Sequence, residues 1–124
     1  MIHTFLVMAG GALGAAARYH LGRLAMHWFG PGFPWGTLAA NLLGGFAMGL
    51  LAGALARISA GEPWRLLLAV GVLGGFTTFS AFSLESWLMI ERGEIWVACA
   101  YVLASVAGAI AALGLGLTVV RAVA

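Results

Sequence analysis

The chain has 124 residues, of which 63% are hydrophobic and only 8% charged, with a formal net charge of +2. An ordinary soluble domain carries roughly 25% charged residues, so this chain has too little polar material to cover a water-facing surface. Its apolar content equally excludes disorder, and with no basic run nucleic-acid binding is not expected.

Lipid is the solvent that fits a mean hydropathy of +1.05. A spanning helix needs about 20 apolar residues, so about four spans with short links use the whole length as a single transmembrane domain. All six basic residues are arginine and all four acidic residues are glutamate. The lone cysteine, Cys99, sits in an apolar stretch and reads as a small hydrophobe rather than a reactive thiol.

The first helix is predicted over about residues 2–27. Its start superficially resembles a signal peptide, but it lacks a basic leading segment and its apolar pattern runs into Arg18 and Tyr19, so it is read as a retained helix. A Gly- and Pro-rich turn with Trp28 and Trp35 at headgroup level follows. The second helix is predicted over about 35–55. Arg57, Ser59, Gly61, Glu62 and Pro63 make the next loop. The third helix covers about 64–90, and Glu91 to Glu94 form a tight polar link. The fourth covers about 95–120.

Glycines recur four apart at Gly10 and Gly14, at Gly45, Gly49 and Gly53, and at Gly71 and Gly75. In lipid that spacing lets helix backbones approach closely, within one chain or between two. With the N-terminus inside, Arg57, Arg65 and Arg121 lie on the cytoplasmic side and Arg18, Arg23 and Arg92 on the other. The bias that sets orientation is therefore close to zero. A chain so balanced is expected to insert both ways and to pair as an antiparallel homodimer.

Polar groups at membrane depth are costly and usually have a use. Thr37 and Asn41 share a face of the second helix, and Tyr101 and Ser105 share a face of the fourth. The remainder cluster in the third: Thr77, Thr78, Ser80, Ser83, Glu85 and Ser86. Gly74-Gly75 followed by Thr77-Thr78 makes a poor helix interior and a good place to begin a new helix. A break near residues 74–79 is predicted. Such a break frees carbonyls and amides that must find protein, water or an ion.

Three segments carry a family resemblance. Gly10 through Tyr19, Trp35 through Gly44, and Gly74 through Glu85 (GGFTTFSAFSLE) resemble the motifs of the Fluc (CrcB) fluoride channel family, in order and at compatible spacing. Glu91-Arg92-Gly93 and Tyr101 through Ser105 also match. The resemblance implies an all-α membrane protein with four spanning helices, the third broken, assembled as an antiparallel homodimer with two pores. It implies a passive channel that exports cytoplasmic fluoride from a multi-pass position in the inner membrane. Asn41 would then donate to fluoride. Phe79 and Phe82 would face it with their electropositive ring edges. Ser80, Ser83, Thr37, Tyr101 and Ser105 would supply hydroxyls, with Ala109 leaving the track on the fourth helix open to question. Arg18 would stand in the vestibule. Backbone carbonyls of Gly74 and Thr77, from both subunits, would hold a structural sodium ion at the dimer centre. Glu85 has no assigned role: a structural hydrogen bond or a partner such as Arg18 would account for it.

The alternative is a small dual-topology, proton-coupled multidrug exporter. It needs an ionisable carboxylate in a substrate cavity, and Glu85 is the one candidate. A catalytic constellation is absent from the sequence, so an enzyme is not expected.

Overall fold

The computed structural model describes residues 1–58 and 61–123, which are mostly helical with no strand among them. Helix α1 runs Ile2–Phe29 and α2 runs Trp35–Arg57. A third helical run is composite. It opens with one turn, α3 (Glu62–Trp64), continues as a nine-residue π-helix over Arg65–Leu73, and closes with α4 (Gly74–Phe76). Helix α5 runs Ser80–Glu91 and α6 runs Ile95–Val123. The helices thus extend slightly beyond their predicted ends. Within the loop expected around Arg57 to Pro63, Glu62 and Pro63 are already helical, because proline suits the first turn, where its missing N–H is not needed. Ser59 lies outside the described residues.

Three stretches are long and apolar enough to cross a membrane: Trp35–Arg57, Glu62–Glu91 and Ile95–Val123. Helix α1 is comparable in length, at 28 residues, but Arg18, His20 and Arg23 make its second half more polar. Large apolar side chains stand exposed along the helices, among them Phe5, Leu13, Trp96 and Ile110. In water these would be a liability. In hydrocarbon they are the surface that matches the solvent.

The break falls just after the paired glycines, not on them. Gly74 and Gly75 remain helical, whereas Thr77 is extended (φ −86°, ψ 158°) and the helix resumes only at Ser80. The glycines serve packing instead. Helix α1 crosses the π-helix and α4 with backbone against backbone: a Cβ on Gly10 would lie 2.9 Å from Gly71 Cα, and one on Gly75 would lie 3.0 Å from Gly11 Cα. Helix α2 meets α6 in the same way, Gly45 against the Ala109 carbonyl and Gly49 against that of Leu113. The four-residue glycine spacing thus serves contacts within one chain.

The α5–α6 link ends α5 with left-handed Gly93 (φ 82°). Gly93 N–H donates to Ile90 O at 3.0 Å and Glu94 N–H to Met89 O at 2.9 Å. This pair of bonds is the Schellman motif, which satisfies carbonyls at the helix end. Arg92 and Glu94 add an exposed ion pair at 2.7 Å. The short link folds α5 back on α6, and the enclosed cluster is Phe82, Met89, Ala98 and Tyr101, with Phe33, Leu38 and Val102 packed against it.

Gly14 tests the close crossing. An added Cβ would collide with the Val72 carbonyl oxygen and lie 2.8 Å from Phe76 N. Gly14→Ala is expected to lower stability by about 1–3 kcal/mol, the usual cost of overpacking. Gly22, where an added Cβ meets nothing within 4 Å, is expected to accept alanine without loss. Thermal unfolding of the two variants in detergent micelles makes the comparison.

Candidate functional site

The break unwinds a turn at membrane depth, and the freed backbone needs partners. Asn41, about two turns into α2, supplies them. Thr78 N–H donates to Asn41 Oδ1 at 2.8 Å, and Asn41 Nδ2 donates to Thr78 O at 3.0 Å. The side-chain amide thus acts as a one-residue strand partner for Thr78. This pairing fixes the orientation of the amide, because only its oxygen can accept from the backbone N–H. An amide nitrogen carries two hydrogens, so one N–H of Asn41 remains beyond this pair.

The new helix starts with help from the same residue. Ala81 N–H donates to Thr78 Oγ1 at 3.2 Å, the service an N-cap side chain gives. Thr78 Oγ1 and Ser80 Oγ are 3.3 Å apart. Thr77 bonds back instead, Oγ1 to Leu73 O at 3.0 Å.

Asn41, Thr77, Thr78, Phe79, Phe82 and Ser105 line one groove of about 400 Å³, whose remaining wall is apolar. Phe79 stands at its edge, 76% exposed, and Phe82 is buried. Their ring centroids are 5.6 Å apart, at 47° between planes. Phe82 in turn lies 5.2 Å from the Tyr101 ring. Ser105 is 5% exposed, and its hydroxyl has no hydrogen-bond partner. A buried hydroxyl left unpaired costs free energy. Ala109 lies on the same wall, four residues on.

A second cavity, of about 610 Å³, opens between the polar half of α1 and the start of α2. Arg18, Arg23 and His27 line it from α1, and Thr37 and Glu85 also face it. Glu85 is held from two sides. Thr37 Oγ1 donates to Oε2 at 2.9 Å, and Tyr101 O–H donates to Oε1 at 2.9 Å. The fully buried Tyr101 thus carries the contact from α6 through the core. Arg18 is not the partner of Glu85. Its Nε donates to Gly75 O at 3.3 Å, tying the cavity wall to α4.

The expected site residues therefore divide. Asn41, Phe79, Phe82 and Ser105 share the groove, while Arg18, Thr37 and Glu85 share the second cavity. Thr37 is one helical turn from Asn41 on α2. Ser83 directs its hydroxyl to Phe79 O at 2.8 Å, an intrahelical bond. Ser80 is exposed on α5 beside the break. Sequence reasoning did not single out Phe33, whose ring meets Tyr101 edge-on at 5.3 Å and 86°. Nothing local marks it, since it lies in the Gly-Pro turn and reaches the core only through the fold.

Gly74 and Thr77 also fall at the break. Thr78 N–H, which a continuous helix would give to Gly74 O, goes to Asn41 instead. Among the described residues, the carbonyls of Gly74 and Thr77 accept no hydrogen bond in the break. Free carbonyl oxygens are the donor type that a hard cation takes, so the donor set fits a sodium ion.

Asn41→Leu would strand two Thr78 backbone groups. Each is expected to cost about 1–3 kcal/mol, read as a lower unfolding temperature in micelles. Tyr101→Phe removes one of two donors from a carboxylate, and a loss of about 1.5–3 kcal/mol is expected.

The CrcB family (CrcB-like protein, Camphor Resistance) matches residues 5–117 by its family model. A protein of Phenylobacterium zucineum named fluoride-specific ion channel FluC is 66% identical over 120 residues, covering 95% of this chain and 94% of its own. Proteins of the same name from Sphingopyxis alaskensis and Novosphingobium aromaticivorans are 55% and 53% identical, covering 98% and 100% of this chain and 97% and 100% of their own. With the family model matching residues 5–117 and relatives more than half identical over nearly its whole length, the chain belongs to the CrcB family.

Proposed function

We propose that this protein is a fluoride-selective passive channel. The observation that carries the reading is the groove at the helix break, which gathers neutral donors and ring edges with no cation along it. Fluoride is small and strongly hydrated, so a pathway must replace its water with close donors. The second N–H of Asn41 and the unpaired hydroxyl of Ser105 are such donors, and the edges of Phe79 and Phe82 add electropositive hydrogen. Thr37, Ser80, Ser83 and Tyr101 complete the polar surroundings, the first and last through Glu85. The name shared by the relatives supports the same ion. Hydrogen fluoride is a weak acid that enters cells uncharged and ionises inside, and the membrane potential then drives the anion out through an open path.

The channel is an antiparallel homodimer with dual topology in the inner membrane, and α1 is its fourth spanning helix. Two features support this. The groove is open on the protomer surface, with Phe79 at its edge, so a second copy is needed to close it. The arginines divide three and three between the ends. Sodium, if bound, would be held by the Gly74 and Thr77 carbonyls with the same pair from the second copy, and would neutralise their partial charge at the centre. The multidrug-exporter alternative needs a carboxylate free to exchange protons with substrate, whereas both oxygens of Glu85 are engaged by Thr37 and Tyr101.

Reconstitution in liposomes tests the function. Fluoride efflux is expected to be rapid, with chloride retained, and Phe82→Ile or Asn41→Asp is expected to slow it at least about tenfold, since each removes a contact made by the ion along its path. Folded dimers that pass neither ion would overturn the reading. For topology, a tag on one terminus is expected to be accessible from both sides of the membrane, and labelling from one side alone would contradict the antiparallel pair.

A further inference from the structure

The vestibule holds charge that the pathway itself does not use. Arg18, Arg23 and His27 line this cavity of about 610 Å³, and the one carboxylate facing it, Glu85, is already bonded by Thr37 and Tyr101. Neither arginine is ion-paired: among the described residues the salt bridges are Arg65 with Glu62 and Arg92 with Glu94. Arg18 is partly spent on Gly75 O. Arg23 has no such bond, and its guanidinium lies 6.0 Å above the Tyr19 ring centroid, a cation–π arrangement that holds the side chain over the cavity without neutralising it.

The geometry points to Arg23 as the collecting cation of the mouth, a residue that concentrates small anions in the vestibule and sets the entry rate without contacting the ion in the groove. This rests on the channel reading above. A cleft of one sign with low-dielectric walls raises the local concentration of its counter-ion. Lacking a carboxylate partner, Arg23 keeps its field. Because it is exposed, that field is open to salt screening. Selectivity is set deeper, at Asn41, Phe82 and Ser105, so Arg23 should change how fast anions arrive and leave the choice among them alone.

The test is fluoride efflux from liposomes at about 10 mM and about 500 mM of an impermeant salt, for the wild type, Arg23→Gln and Arg23→Lys. A unit charge acting through water over about 6–10 Å is worth about a two- to threefold change in local anion concentration. Arg23→Gln is therefore expected to slow efflux two- to threefold at low salt and to converge on the wild type at high salt, where the screening length is a few ångströms. Arg23→Lys is expected to track the wild type, and the fluoride-to-chloride ratio is expected to stay the same in all three. A loss equal at both salt concentrations, an unchanged rate at low salt, or a changed ratio would each overturn the assignment of Arg23 while leaving the channel reading standing. A wild type without fluoride flux would overturn both.

Discussion

One side chain carries the unusual part of this fold. Where the third helical run stops at Thr77, a peptide unit is left at membrane depth with no helical partner. Asn41 meets both its polar groups, at 2.8 and 3.0 Å. In hydrocarbon an unmet N–H or C=O costs several kcal/mol, so without the amide the break would close into continuous helix or fill with water. The features of the candidate site follow from the broken conformation. The start of α5 at Ser80 sets where Phe82 points, Thr78 Oγ1 is freed to cap Ala81, and two carbonyls are left uncommitted.

A second layer holds the break in place from behind. Helix α1 approaches the π-helix and α4 at backbone contact because Gly10, Gly14, Gly71 and Gly75 carry no side chain to keep them apart. Arg18 adds a bond from the same helix to Gly75 O. On the other side, Tyr101 crosses the core from α6 to reach Glu85 on α5, with Thr37 of α2 closing on the same carboxylate. Three helices therefore converge on one acid. The acid that looked misplaced beside an anion route is, in this geometry, the point where α2, α5 and α6 are joined.

Much of this was legible in the residues, and what was not has a physical cause. Helix number and approximate limits follow from apolar run length, and the break follows from Gly-Gly beside Thr-Thr. Within the expected 74–79 stretch only residues 77–79 unwind, because packing against α1 holds Gly74 and Gly75 in helix and leaves the threonines to open. Composition gives no hint of a π-helix over Arg65–Leu73, since an apolar run of this kind suits an α-helical span as well. The pairing of Asn41 with Thr78 spans 37 positions and that of Thr37 with Glu85 spans 48, and no periodicity reaches so far. Residue type nominated these side chains, but only the fold could say that three of the expected hydroxyls, on Thr37, Ser83 and Tyr101, have their protons engaged within the protein.

The glycine crossings bear on how anything could move through this molecule. A wall that opens and closes needs a seam along which elements slide. Here α1 touches the third helical run through backbone atoms, and α2 touches α6 the same way at Gly45, Gly49 and Gly116. Interlocked backbones leave no compressible layer of side chains between them. Displacing one helix would drag its neighbour and pull Thr78 away from Asn41. The molecule is in effect a rigid frame behind the groove, so the motions left to its lining are ring tilts and hydroxyl rotations, which are among the fastest a protein makes.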